Sequence, residues 1–143
     1  KIAGRNGNYL LDMAPRPDGS VDDTQKKLFN EIGYWTKIYG ESVYETQGGP
    51  YLPLKGDFVS TRKNNKIYLH LLSGQTSITL PAFENKIVSA KIFQTSTKVK
   101  FIKENGKFIF SVPANYKNEN DVIIELTIKG ATADMALIKP LAD

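Results

Sequence analysis

The chain has 143 residues, 41% of them hydrophobic and 24% charged, a balance that fits one folded core and excludes a disordered or membrane-embedded chain. Its 19 Lys and Arg against 15 Asp and Glu leave a net charge of +4, but the lysines are scattered along the second half, so no nucleic-acid surface is expected. The lack of cysteine excludes disulfides, thiolate metal sites and a cysteine nucleophile, and no run approaches the ~18 apolar residues of a membrane span.

Lys1 to Arg5 do not form a signal peptide, and this start reads as a cut end rather than a natural one. Next comes an apolar run, Tyr9-Leu10-Leu11 and Met13-Ala14, broken only by Asp12 and stopped by Pro15-Arg16-Pro17-Asp18-Gly19. A short apolar run closed by a Pro-Asp-Gly turn predicts a buried strand. Leu28, Phe29, Ile32, Trp35, Ile38 and Tyr39 then recur on one helix face, predicting an amphipathic helix of about five turns. Asp22 or Asp23 would cap its N-terminus, and Gly40 stands where a left-handed C-cap is needed. The apolar side of that helix, Trp35 included, is expected to be covered by other structure.

After Gln47-Gly48-Gly49-Pro50 the texture changes to short runs rich in Val, Ile, Phe, Tyr and Thr. These predict strands near Asp57–Thr61, Lys66–Leu72, Ser77–Leu80, Ile87–Gln94, Lys98–Lys103, Lys107–Val112 and Val122–Ile128, with a further one around Met135–Ile138. Asn105-Gly106 fits a two-residue hairpin turn that needs positive φ at both positions, and Asn64-Asn65 is a second candidate. Phe108, Phe110 and Val112 share one side of their strand, and Val99 and Phe101 oppose Lys98 and Lys100, the pattern of a sandwich with one dry and one wet face. The predicted organisation is therefore mainly β. Residues 1–46 form a terminal strand-helix unit, 47–56 a linker, and 57–143 an antiparallel β-sandwich. One parallel strand with one covering helix cannot hide its own apolar surface, so the first unit is expected to be the last part of something larger.

The residues Asn6-Gly7-Asn8-Tyr9-Leu10-Leu11-Asp12-Met13-Ala14-Pro15-Arg16-Pro17-Asp18-Gly19 resemble the segment that closes the catalytic barrel in α-L-fucosidases of glycoside hydrolase family 29, N-G-N-L-L-L-N-[IV]-G-P-x-x-D-G. Glu31-Ile32-Gly33-Tyr34-Trp35 and Tyr39-Gly40-Glu41-Ser42-Val43-Tyr44 are similar to the same family's E-I-G-x-W-L-x-x-[NY]-G-E-A-I-Y. The match runs from Asn6 to Thr46, and no comparably sharp motif appears in the sandwich. The resemblance implies the last strand and helix of a (β/α)8-like barrel followed by the family's C-terminal β-domain. It also implies a parent enzyme that removes terminal α-L-fucose from glycans with retention. Such chemistry uses two carboxyl groups roughly 5 Å apart, one nucleophile and one acid then base. In the family both come from earlier barrel strands, so no catalytic residue is expected in this segment, and the chain alone is expected to be inactive. No cofactor and no metal is implied. The implied partners are fucosylated glycans, met through the parent enzyme, and the missing barrel, in an extracytoplasmic compartment. A stand-alone carbohydrate-binding module and a purely structural accessory domain are the alternatives.

Asp12 stands where the family has Asn, and Ala14 where it has Gly. Asp12, near the C-terminal end of a barrel strand, would either border the sugar pocket or be a buried carboxylate bonded to backbone or an Arg, the second reading being preferred. Arg16 would contact a pocket loop or simply lie on the surface. His70, the only histidine, reads as a strand-face imidazole with one partner. Asp18, Asp22 and Asp23 read as turn and cap acids. Tyr51, Phe58, Tyr68, Phe83 and Tyr116 read as core, with a sugar-stacking platform as the alternative.

Overall fold

The computed structural model describes residues 1–53, 58–72, 74–116 and 119–140. Asp57, the expected start of the first sandwich strand, lies outside them, as do residues 54–56 of the expected linker. One helix, α1 (Asp23–Tyr39), precedes eight strands: β1 (Gln47–Gly48), β2 (Phe58–Lys63), β3 (Lys66–Leu71), β4 (Ser77–Pro81), β5 (Ile87–Ile92), β6 (Lys100–Glu104), β7 (Lys107–Ser111) and β8 (Val122–Ile128). The strands form two antiparallel sheets, ordered β1-β2-β3-β8-β5 and β4-β7-β6. The mainly-β sandwich expected from the sequence is thus the fold observed.

Alternation decides which side chains fill the space between the sheets. Phe58, Leu69, Leu71, Ile124 and Leu126 come inward from the larger sheet, and Leu80, Phe108 and Phe110 from the smaller. Val112 and Val99 are buried with them, Phe101 packs on the same cluster, and Lys98 and Lys100 face solvent. Tyr51 is fully buried, and its hydroxyl donates to the Pro81 carbonyl at 2.7 Å, satisfying the one polar atom that the ring carries into the core.

Both hairpin turns fall where expected. Asn105 and Gly106 have φ of 48° and 72°, joining β6 to β7. Asn64, at φ 54°, is the residue of the Asn64-Asn65 pair that takes the left-handed region. Lys63 pairs with Lys66 across it.

Four local expectations are corrected. Residues 8–14 form no strand among the described residues, and Tyr9 and Leu10 are 67% and 84% exposed. A buried parallel strand needs neighbours on both sides; among the described residues no strand pairs with the segment, which is tied to α1 by the Ala14 amide donating to Gln25 Oε1 at 3.0 Å before Pro15 bridges Val21. Gly40 is right-handed (φ −56°, ψ −32°) and leads into a 3-10 turn, Gly40–Ser42. A Cβ on Gly40 would lie 2.8 Å from the ring of Tyr44, an exposed side chain that would have to shift. Met135–Ile138 is no strand but ends in a single parallel bridge from Ile138 to Tyr51. Finally, Trp35 and Tyr39 pack against the sandwich itself, on Tyr68, Phe93 and Ile123 of the larger sheet's outer face, whereas the expectation had Trp35 facing a barrel. Gln47 and Gly48, in the stretch expected to link the two regions, pair with Arg62 and Thr61 of β2.

Candidate functional site

The N-terminal segment is built on close backbone approach. Gly4 rests on Val59, where a Cβ would meet the valine Cβ at 2.8 Å, and Gly48 rests on the Gly4 carbonyl, where a Cβ would come within 2.5 Å. Asn6, at φ 58°, turns its side chain so that Oδ1 accepts from the Gly48 amide at 2.6 Å. The first residue of the Asn6-Gly7-Asn8 motif is therefore a tie between the segment and β1.

Beyond it, Arg16 to Ser20 close a tight turn. The Arg16 amide donates to the Ser20 carbonyl at 2.7 Å, and Gly19, at φ 82°, donates to the Arg16 carbonyl at 2.8 Å. Asp18 Oδ1 accepts from both the amide and the hydroxyl of Ser20, at 2.9 and 2.7 Å, and these bonds lower its pKa. Asp22 caps α1, accepting from the Thr24 amide at 2.8 Å, and its other oxygen takes Arg16 Nη2 at 2.7 Å. The Thr24 amide is the main reason its pKa is lowered. Asp23 pairs with Lys26. These acids serve the turn and the helix end, as expected.

Asp12 is exposed and makes no ion pair among the described residues. Within this chain it is thus neither buried nor paired with an arginine among the described residues. Arg16, the nearest arginine along the chain, is spent on Asp22. Tyr9, Leu10 and Met13, the neighbours of Asp12 in sequence, are also exposed, as are Leu28 and Ile32 in the middle of α1. No residue of α1 is fully buried.

The charges that do converge lie on the other side of the helix end. Glu41 Oε1 accepts from Lys66 Nζ at 2.8 Å and from the Tyr68 hydroxyl at 2.9 Å. Lys66 also stands 3.4 Å from Glu125, which is 3.4 Å from Lys91. The Lys66 bond, then the Tyr68 bond, hold the Glu41 carboxyl below the usual range. Burial, reinforced by Glu41, pushes the Tyr68 phenol up. Glu125 is buried in the middle of β8, and Lys63 reaches Glu45 at 2.7 Å beside this group. Sequence reading missed the network; its one trace is a glutamate inside the apolar run Val122-Ile123-Ile124-Glu125-Leu126.

His70 is buried on the same outer face, its Nδ1 3.2 Å from Asp121 Oδ2, while its Nε2 has no partner among the described residues. Tyr51, Phe58, Tyr68 and Phe83 are buried, and Tyr116 is half-buried with its hydroxyl 3.2 Å from that of Thr97. Among the described residues, no group of three or more His, Asp or Glu side chains is placed to hold a metal ion. No helix is long and apolar enough to cross a membrane.

Residues 1–41 match the family model described as Alpha-L-fucosidase. No curated protein matches the chain. Among solved structures, an α-fucosidase of Thermotoga maritima in complex with a mechanism-based inhibitor is 21% identical, with a TM-score of 0.71 over 88% of this chain and 31% of that one. The α-L-fucosidase isoenzyme 1 of Paenibacillus thiaminolyticus is 23% identical, with a TM-score of 0.73 over 90% of this chain and 32% of that one. A family 29 α-L-fucosidase of Bacteroides thetaiotaomicron is 19% identical, with a TM-score of 0.79 over 90% of this chain and 30% of that one. This chain thus spans less than a third of each of these enzymes. Its first 41 residues carry the α-L-fucosidase family pattern, and most of its length has the fold of one part of the solved α-L-fucosidases.

Proposed function

We propose that this chain is the C-terminal portion of a retaining exo-α-L-fucosidase, with residues 1–46 completing a catalytic barrel and the sandwich supporting it from outside. The observation that carries the reading is the uncovered apolar face of the first unit. Tyr9, Leu10, Met13, Leu28 and Ile32 are all exposed; Leu28 and Ile32 belong to the same helix stripe as Trp35 and Tyr39, and only the C-terminal end of that stripe is packed on the sheet. Apolar surface of that kind marks an interface, and a barrel's neighbouring strand and helix are the partners that a strand-helix unit of this pattern fits. The family match over residues 1–41 supports the same partner.

On this reading the nucleophile and the acid/base belong to the barrel and the chain alone does not hydrolyse fucosides. The substrates are terminal α-L-fucosyl groups on glycans, met in an extracytoplasmic compartment. Asp12 faces the pocket rim and Arg16 holds the turn below it. The accessory-module reading gains nothing from the aromatics named for it, since Tyr51, Phe58, Tyr68 and Phe83 are in the interior.

Hydrolysis of a chromogenic α-L-fucoside by this 143-residue chain and by a longer product carrying the barrel tests the proposal. Turnover by the longer protein alone, with retained anomeric configuration in the product, is the expected result. Turnover by the 143-residue chain, or inversion, overturns it.

A further inference from the structure

Residues 7–41 are held to the sandwich chiefly at their two ends. At one end Gly4 sits on Val59 and Asn6 bonds Gly48. At the other, Ser42 is buried and its carbonyl accepts the Thr61 hydroxyl, while the Ser42 hydroxyl donates to the Tyr39 carbonyl at 2.7 Å. Between these ties, among the described residues, α1 packs on the sheet's outer cluster through Trp35 and Tyr39, with the Trp35 ring 5.5 Å from that of Tyr39 and tilted to it, and Tyr39 6.3 Å from Phe93. So small a contact leaves room for a second holding force, and Glu41 supplies one.

We propose that Glu41 is an ionic latch that closes the arm formed by residues 7–41 onto the outer face of the larger sheet, so that the arm docks and undocks as a unit while the sandwich stays folded. Glu41 is the arm's last charged residue, and among the described residues its side chain bonds Lys66 and Tyr68 of β3. The groups facing it are all accounted for: Lys66 and Tyr68 from β3, Lys63 from β2 at longer range, and Glu125 from β8 behind Lys66. The layout makes the latch separable. Without Glu41 the buried Glu125 still has Lys66 and Lys91, both at 3.4 Å, so the sheet keeps its charge balance and only the arm loses a tie. This inference stands apart from the fucosidase reading, because it concerns contacts that lie wholly within the chain.

Trp35 is the only tryptophan and sits in the docked contact, so it reports the arm directly. In the full chain, Glu41→Gln is expected to raise acrylamide quenching of Trp35 and to speed amide exchange in α1 about threefold, the order expected for loss of one exposed ion pair. Exchange in β8 should keep its wild-type rate. In the unmodified protein, raising salt from roughly 0.1 to 1 M shortens the screening length from about 10 to 3 Å and should have the same effect, whereas Glu41→Gln should be insensitive to salt. Unchanged Trp35 quenching in both experiments overturns the latch. Equal acceleration in α1 and β8 also overturns it, because arm and sandwich would then open together. Should Glu41→Gln fail to fold, the latch is again refuted, since the sandwich was to stand without it.

Discussion

Glu125 is a carboxylate whose side chain is 4% exposed, and each of its oxygens faces a lysine at 3.4 Å, Lys66 on one side and Lys91 on the other. Stranding a buried charge by removing its partner ordinarily costs about 3–5 kcal/mol. Lys66→Met strands Glu125 only in part, because Lys91 remains, so about 2 kcal/mol is expected. Glu125→Met is expected to cost less than about 1 kcal/mol or to stabilise, since it removes the desolvated anion. The two lysines, 33% and 40% exposed, can carry their ammonium groups to water. The double variant should then resemble Glu125→Met alone, leaving a coupling of about 2 kcal/mol between the sites. Urea denaturation followed by far-ultraviolet dichroism measures each value. Glu41→Gln provides the baseline, because Lys66→Met also opens the Glu41 bond. Glu125→Met costing as much as Lys66→Met, or additivity within about 0.5 kcal/mol, would refute the reasoning.

Two glycines separate backbone from side-chain crowding. Gly48→Ala drives a Cβ to 2.5 Å from the Gly4 carbonyl and should cost about 2–3 kcal/mol in thermal or chemical unfolding. Gly40→Ala meets only the exposed Tyr44 ring in a right-handed backbone, so a near-neutral change, within about 1 kcal/mol, is expected. The depressed Glu41 carboxyl sets a pH effect with a definite sign. Its contribution is complete above the unfolded carboxyl's pKa and is lost as pH falls through the lower folded value, so Trp35 quenching should rise only below about pH 4.5. In a longer protein with fucosidase activity, Asp12→Asn should keep kcat/KM within about tenfold, since an exposed carboxylate at the rim touches no bond being broken. A loss of several orders of magnitude would place Asp12 among the reacting groups.

The elements most legible in the sequence were those set by local chemistry. Asp22 capped α1 because an acceptor there meets a free amide two residues on. Asn105-Gly106 made the hairpin because that pair tolerates positive φ. The strand expected at Val122–Ile128 has the observed bounds. Contacts set by distant parts of the chain were not legible. Gly40 was read as a left-handed cap, yet its backbone is right-handed and the group that a side chain there would meet is the Tyr44 ring. Glu125 looked like an interruption until Lys66 and Lys91 arrived from two other strands. Asp12 was read as a carboxylate buried and bonded to backbone or an Arg; in this chain it is exposed, and Arg16 bonds Asp22 at the helix cap.

The strand expected at Tyr9–Ala14 failed for a reason that bears on function. Its apolar pattern is real, and the segment before it is fixed to β1 by Asn6, so neither composition nor anchorage is lacking. What is lacking is an edge to pair with: the sheet edge nearest in the chain, β1, is only two residues long. An apolar segment that does not pair stays in solvent, as Tyr9 and Leu10 do, and Leu28 and Ile32 of the helix are exposed as well. On the proposed reading, one further layer accounts for both exposures. A barrel contributing the adjacent strand and helix would cover Tyr9, Leu10, Met13, Leu28 and Ile32 together, whereas a glycan or a small ligand would cover only a few of them. The uncovered face therefore favours a protein layer as the partner over a bound sugar.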